Sequence, residues 1–400
     1  MKDQIRISKI LAAALLSGGI SAGGLMWAGG LHAQTPAPPS VPAAAPAEPV
    51  APATPAAIPG TVPATQVPFY ADWAASPHAD HKAEPFNHWN KEGVIPVECA
   101  RCHSTPGFLD YLGADGSTPG KVDHPAPVGT VITCIACHND KAVALTTVTF
   151  PSGVKVENQG TNTRCMTCHQ GVESTNSVNA KLAGIADDAV AVKLDFINVH
   201  YTAAGSMLFG SVAQVGYQYP GKTYAGRFAH QEPYTRCTAC HVTHTLAVKV
   251  DDCKACHKEV TDKESLQRIR VSKTDYDGNG NANEGIAQEV EHLRGKLMAA
   301  IMAYAKTAAG KPVAYDPETF PYFFIDTNGN GIADKDETKV PNKYNAWTPR
   351  LLKAAYNYQF VTKDPGAYAH NPTYTLQILY DSLADLGAKV NVDLAKAKRP

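Results

Sequence analysis

The ten cysteines constrain this chain more than any other feature, because every one of them belongs to a Cys-x-x-Cys-His run. The runs are Cys99, Cys102 and His103; Cys134, Cys137 and His138; Cys165, Cys168 and His169; Cys237, Cys240 and His241; and Cys253, Cys256 and His257. Two thiols one helical turn apart can add to the two vinyl groups of one porphyrin, and the adjacent imidazole then reaches the iron from the same side. A redox disulfide would not recur five times, and a zinc ribbon does not need His after every second Cys. The pattern predicts five covalently attached haem c groups and leaves no cysteine for a disulfide framework.

On these motifs the chain resembles the multihaem c-type cytochromes, as a pentahaem member, over residues 69–400. The stretches Ser76-Pro77-His78-Ala79 and His370-Asn371-Pro372 also look like signatures of that family. The fold this implies is mainly α with much irregular loop: a multihaem cytochrome c domain with few short β-hairpins, followed by a C-terminal helical region. One hairpin is expected between Ala144 and Glu157, where Thr147-Val148-Thr149-Phe150 alternates, turns at Pro151-Ser152-Gly153, and returns as Val154-Lys155-Val156. The aromatic residues Tyr70, Trp73, Phe86, Trp89, Phe108 and Tyr111 cluster around the first motif, where packing on porphyrin or core is the ordinary use of such rings.

What the irons can do depends on the histidines outside the motifs. A haem with His on both faces is an electron carrier, whereas one with an open face can bind a substrate. Of the fifteen histidines, five are proximal and His32 lies near the N-terminus, which leaves nine for five distal positions. Six are favoured. His244 follows His241 by three residues, and His230 and His88 lie in segments leading into motifs. His78, His200 and His370 match stretches that supply distal ligands in similar cytochromes. His81, His124 beside Pro125, and His292 in a Glu-rich helical stretch are not favoured.

The first cysteines are spaced by 35, 31, 72 and 16 residues, so five porphyrins hang on the 159 residues from Cys99 to His257. A compact unit of that length has a radius of gyration of about 15 Å. Neighbouring haems would then sit close enough for electron hopping, and the protein's task would be to fix their spacing and potentials. Arg101, Arg164 and Arg236, within or just before motifs, are placed to pair with haem propionates.

The leading expectation is an exported carrier that passes electrons between redox partner proteins, either other cytochromes or quinol-linked membrane complexes. Two alternatives stand beside it. One is an oxidoreductase with one open haem, acting on a small nitrogen or sulfur compound such as nitrite or hydroxylamine. Pentahaem nitrite reductases, however, carry a Cys-x-x-Cys-Lys motif at the catalytic haem, and no motif here ends in Lys, although Lys258 follows His257. The other is a subunit of a homo-oligomer or filament. No catalytic residue is assigned.

The N-terminal segment points to export. Lys2, Arg6 and Lys9 precede an apolar stretch from Ile10 to Trp27, so residues 1–33 read as a secretory signal, with retention as a membrane anchor the alternative. Residues 34–68 are almost entirely Pro, Ala, Val and Thr, a composition that forms an extended tether rather than a core. Residues 69–260 would be the haem domain and 261–400 the helical region. A formal charge of -1 offers no basic excess for nucleic acid. The expected location is periplasmic, cell-surface or extracellular.

Beyond Lys258 the pattern turns helical, with Ile286, Val290, Leu293, Leu297, Ile301 and Tyr304 on one stripe. Thr348-Pro349 and Asn371-Pro372 read as N-cap and first helical residue, and Gly387 as a stop. Asp326, Asn328, Asn330, Ile332, Asp334 and Glu337 follow the EF-hand loop pattern position by position, which predicts Ca2+. A second loop, with Asp275, Asp277, Asn279, Asn281 and Glu284, is similar but puts Ile286 where the closing carboxylate belongs, so Glu284 would have to serve.

Overall fold

A computed structural model describes Gln66–Pro400; the leader and nearly all of the tether lie outside these residues. The haem-motif half is built of short elements. In chain order they include α1 (Val97–His103), α2 (Thr105–Leu112), α3 (Cys134–Cys137), a hairpin of β1 (Thr147–Thr149) and β2 (Lys155–Glu157), α4 (Asn162–Cys168), α5 (Thr175–Leu182), α6 (Ala204–Phe209), α7 (Cys237–Cys240) and α8 (Val250–Lys254), with further one-turn helices at Tyr70–Ala74, Glu84–Asn87 and Asp140–Ala144 and a short antiparallel pair of Val94–Ile95 with Ala126–Pro127. The hairpin pairs Val148 with Val156 across a turn at Gly153, whose φ of +86° is readily adopted by glycine.

The second half is different in kind. It has a long helix α9 (Ile286–Thr307), a hairpin of β3 (Val313–Tyr315) and β4 (Phe323–Ile325), then α10 (Pro349–Thr362), the short α11 (Ala367–His370) and α12 (Pro372–Leu386). Helices α9, α10 and α12 pack on one another. The stripe Val290, Leu293, Leu297, Ile301 and Tyr304 is buried on α9, as the spacing requires. Thr348 caps α10 by accepting from the Leu351 N–H at 3.2 Å, and Asn371 caps α12 by accepting from Tyr374 N–H at 3.1 Å. Helix α12 does end at Leu386, but Gly387 keeps a right-handed φ of -58°, so its conformational freedom is not what stops the helix.

One large apolar core runs from Val148 to Leu386 and is shared by the cysteine-bearing and cysteine-free stretches. Helix α10 lies deepest, buried from Pro349 through Val361. Its polar residues are tied into the packing. Asn357 accepts from the Tyr217 N–H at 2.7 Å, and its amide donates to the Tyr217 carbonyl and to Ser382, each at 3.0 Å. At the opposite end of α10, Arg350 bonds Asp188 at 2.7 Å and Asp385, and Lys353 bonds Asp187 at 2.9 Å. Around the first two motifs the apolar clusters are small: Ile95, Ala100, Val122 and Ala126 in one, and Phe108, Leu112, Ala136 and Ala142 in the other. Among the described residues no helix is long and apolar enough to cross a membrane.

The fully buried Ile301 should therefore be costly to truncate. Ile301→Ala is expected to lose about 2 to 5 kcal/mol in urea unfolding of the haem-loaded protein. Val271→Ala, at an exposed position, should change stability by less than about 0.5 kcal/mol.

Candidate haem sites

The first four motifs have both cysteines on a helix, one turn apart, whereas the fifth runs out of α8 after Lys254 and places Cys256 in the turn that follows. In four of the five the histidine N–H donates back to the first cysteine's carbonyl: His138 to Cys134 at 2.8 Å, His169 to Cys165 at 2.9 Å, His241 to Cys237 at 2.8 Å and His257 to Cys253 at 2.9 Å. All ten cysteines are free thiols. In motif one, Gly107 of α2 lies against α1 so closely that a Cβ there would meet the Ala100 carbonyl at 2.4 Å.

The motifs touch one another. Cys168 Sγ lies 3.8 Å from the Arg101 carbonyl, which joins motif one to motif three. Arg164 donates to the Cys137 carbonyl at 2.8 Å, joining motif three to motif two. The Cys237 N–H donates to Asn162 Oδ1 at 3.0 Å, joining motif three to motif four. Lys249 links the last two motifs, its N–H donating to the Cys240 carbonyl at 2.8 Å and its carbonyl accepting from Cys253 Sγ at 3.6 Å. Motif three is the hub. Arg101 turns its guanidinium over the Tyr111 ring, 5.2 Å from the centroid.

Four motif histidines face a second histidine. His169 stacks with His78 at a centroid separation of 6.2 Å, His138 with His244 at 6.1 Å, and His257 faces His230 at 6.3 Å. His103 meets His200 at 5.6 Å, with the two Nε2 atoms 3.4 Å apart. With metal–imidazole bonds of about 2 Å on each side and ring centres about 1 Å beyond the nitrogens, trans ligands place their centroids about 6 Å apart. The three pairs at 6.1 to 6.3 Å, each beside two thiols, would fit a haem iron held between two imidazoles, while His103 and His200, with Nε2 atoms 3.4 Å apart, lie closer than the about 4 Å that two such bonds span. His241 has no such ring partner among the described pairs; it and His370 both lie close enough to His169 to disfavour its protonation.

Several of these rings are oriented through Nδ1. His103 Nδ1 meets the Pro85 carbonyl at 2.8 Å, His169 Nδ1 the Thr202 carbonyl at 3.2 Å, and His241 Nδ1 the Leu246 carbonyl at 3.2 Å. A carbonyl only accepts, so Nδ1 carries the proton and Nε2 is the free lone pair. His370 Nδ1 meets a carboxylate instead, Asp364 at 2.8 Å. Burial opposes protonation of His370, yet Asp364 lifts its pKa above the ordinary value. Burial and the neighbouring His169 lower His78 to about 4, and burial and His103 do the same for His200, so both rings are neutral, the form in which imidazole binds a metal.

The remaining histidines lie elsewhere. His88 is exposed and bonds Glu84 at 2.6 Å, with its edge on Trp89. His81 is exposed. His124 bonds Asp123 at 2.5 Å and Asp110 at 3.2 Å, away from any facing ring. His292, on the first turns of α9, bonds Asp277 of the preceding loop at 2.6 Å.

In the loop from Asp326 to Glu337, the buried Asp326 accepts from the N–H groups of Gly329 at 2.7 Å and Gly331 at 2.9 Å. Asn328 and Asn330 both donate to Asp334, at 2.8 and 2.9 Å, and the buried Glu337 accepts from Thr327 N–H at 2.7 Å. The Thr327 hydroxyl, with these amides, holds Glu337 below the usual carboxylate range. Ile332 is exposed, its N–H donating to Asn330 at 2.7 Å. In the earlier loop Asp275 accepts from Gly278 and Gly280 at 2.7 Å each, and Asn281 from Asn283 at 3.1 Å. Two groups of potential ligand atoms lie within 4.8 Å of one another there, Asp275, Asp277 and Glu289 in one and Asp277, Glu284 and His292 in the other, and Glu289 is also paired with Arg270 at 2.6 Å. Glu289 lies fourteen positions after Asp275, beyond the reach of a twelve-residue loop template, so the sequence pattern did not single it out. Asp364 likewise follows no motif spacing.

Comparison with known proteins gives a consistent family. The family described as "Cytochrome c7 and related cytochrome c" matches residues 84–170. The chain is 28% identical over 366 residues to "C-type polyheme cytochrome OmcB" of Geobacter sulfurreducens (strain DL-1 / KN400), covering 76% of this chain and 46% of that protein. It is 27% identical to "C-type polyheme cytochrome OmcC" of Geobacter sulfurreducens (strain ATCC 51573 / DSM 12127 / PCA), covering 76% of this chain and 44% of that protein. The chain thus spans less than half the length of these relatives. No solved structure matches.

The close approach at Gly107 makes it a sharp test of how the first motif is held. Gly107→Val should force α2 off α1 and cost about 1 to 3 kcal/mol by overpacking, read as a lowered thermal midpoint.

Proposed function

Because this chain belongs to the multihaem c-type cytochromes, we propose that it is an exported five-haem protein that carries electrons between redox partners, with every iron held between two histidines. The observation that carries this reading is the set of four facing histidine pairs at 5.6 to 6.3 Å, each joining a motif residue to one outside the motifs. In this reading His200, His244, His78 and His230 complete the sites of His103, His138, His169 and His257. His370 is assigned to His241 as the favoured histidine left once the four pairs are made, and Asp364 on its Nδ1 leaves Nε2 of His370 free. His88, bound to Glu84, is then superfluous.

Bound haem supplies reversible one-electron chemistry at iron; the chain supplies axial ligands, spacing and a dry setting. Contacts between the motifs support direct hopping, with motif three in contact with motifs one, two and four. With two histidines at each iron, no face is left for a substrate, which is why a carrier is favoured over an oxidoreductase acting on nitrite or hydroxylamine. The partners are other cytochromes or quinol-linked complexes on the outer side of the cytoplasmic membrane, reached from the periplasm or the cell surface. Ca2+ would brace the loop from Asp326 to Glu337, and the second loop, closed by Glu289, is the weaker candidate.

Intact mass of the full chain should show five haems. Integrated low-temperature EPR of the oxidised protein should show low-spin iron only, with optical spectra unchanged by nitrite or hydroxylamine. One high-spin haem in five, perturbed by either compound, would replace the carrier with the enzyme. His244→Ala should convert one haem in five to high spin, whereas His88→Ala should convert none.

Calcium is tested separately. A chelator should lower the thermal midpoint of the wild type and leave that of Glu337→Gln unmoved; no effect of chelator on the wild type means that the loop holds no ion.

A further inference from the structure

Two neighbouring residues just beyond α10 carry opposite charges into two different haem sites. Lys363 and Asp364 are 6% and 3% exposed, and a charge so far from water acts strongly on its surroundings. The Lys363 ammonium lies 3.7 Å from the centre of the Tyr201 ring and 4.4 Å from that of Tyr322, and donates to the Pro317 carbonyl at 2.5 Å. No carboxylate pairs with it among the described ion pairs. The Lys363 carbonyl accepts from Thr202 N–H at 3.0 Å, which pins the segment carrying His200 against it, and the His200 and Tyr201 rings are 5.8 Å apart. The Asp364 carboxylate faces the other way, both oxygens on His370 Nδ1 at 2.8 and 3.0 Å, and His370 is its partner in the described ion pairs.

We infer that Lys363 and Asp364 polarise the haem row, raising the potential of the site built on His103 and His200 and lowering that of the site built on His241 and His370. The inference rests on the proposed axial pairs. An uncompensated cation disfavours the added positive charge of the oxidised iron; a carboxylate on the far nitrogen of an axial imidazole makes that ligand more electron-rich and favours the oxidised iron. Among the histidines proposed as ligands, His370 has the one short carboxylate contact: His103, His169 and His241 give Nδ1 to neutral carbonyls, and His257 lies 3.6 Å from Glu259. Motif three touches both motif one and motif four, so an electron lost by the iron at the His370 site is gained by the iron at the His200 site through contacting neighbours. One iron is oxidised and one reduced, with no further reactant.

The test is a spectroelectrochemical titration of the haem-loaded full chain as wild type, Lys363→Gln, Asp364→Asn and the conservative Lys363→Arg and Asp364→Glu. Low-spin haems are counted by EPR in each. Lys363→Gln should move about one fifth of the absorbance change to lower potential, and Asp364→Asn a different fifth to higher potential. Both conservative variants should titrate like wild type. Unmoved curves overturn the inference, as do shifts of both variants in the same direction or a uniform shift of all five haems. A low-spin haem lost in Asp364→Asn also overturns it, since the carboxylate would then be holding the ligand in place rather than tuning it. The axial reading fails separately, if the wild type itself lacks five low-spin haems or if His370→Ala leaves all five low-spin.

Discussion

An iron gripped by two imidazoles brings two chain segments to a separation of about 6 Å and holds them there. In this chain the proposed pairs reach far along the sequence, from His103 to His200, His138 to His244, His169 to His78, His257 to His230 and His241 to His370. Each closes a long loop, and the entropy of closing a loop grows only slowly with its length. Such ties can do what a core does elsewhere. That explains why the first two motifs sit among apolar clusters of four buried residues each, too small to organise 100 residues alone.

The other half solves the opposite problem. Its proposed ligand, His370, comes from outside the motif region, and it rides on α11 between two helices that are among the most buried in the molecule. Asn357 fastens α10 to the Tyr217 segment, while Asn371 donates to the Leu208 carbonyl at 3.3 Å and the Gly226 carbonyl at 2.8 Å. These amide clamps bind the helical region to loops that emerge from α6 and run towards motif four. A conventional core thus sets the position of His370, and the segment carrying His200 is tied to the end of α10 through Thr202 and Lys363.

What could be read from the sequence follows from how local each signal is. The haem motifs, the β1–β2 hairpin, the α9 stripe and the two Asx or Thr caps depend on residues within a turn or two of each other, and they stand in the structure where the spacing puts them. The facing histidine pairs are not local. Nothing about His78 or His230 in the sequence says which motif each meets, and His88, which bonds Glu84 in the structure, carries no local signal that sets it apart from them. Glu289 and Asp364 were invisible for the same reason: a carboxylate becomes a partner through tertiary approach, and neither sits at a motif spacing. The shared core also shows that cysteine content, which changes sharply near residue 260, marks chemistry rather than packing.

The placement of Lys363 and Asp364 draws on helical geometry. Lys363 is the C-cap of α10, with φ -82° and ψ -2°, and Asp364 follows it, so the two consecutive residues address different neighbours, Tyr201 and Tyr322 for one and His370 for the other. The partial negative charge at the C-terminus of α10 is common to both sites and largely cancels in the difference between them. What remains is the contrast of one ammonium and one carboxylate, neither neutralised by a surface ion and neither screened by salt as an exposed pair would be. Burying two such charges is costly, and the cost is met differently on the two sides: by tyrosine rings and a carbonyl around Lys363, and by an imidazole N–H on Asp364. Swapping either for an apolar residue would relieve that cost, so their burial makes physical sense where a difference between two irons is the property being maintained.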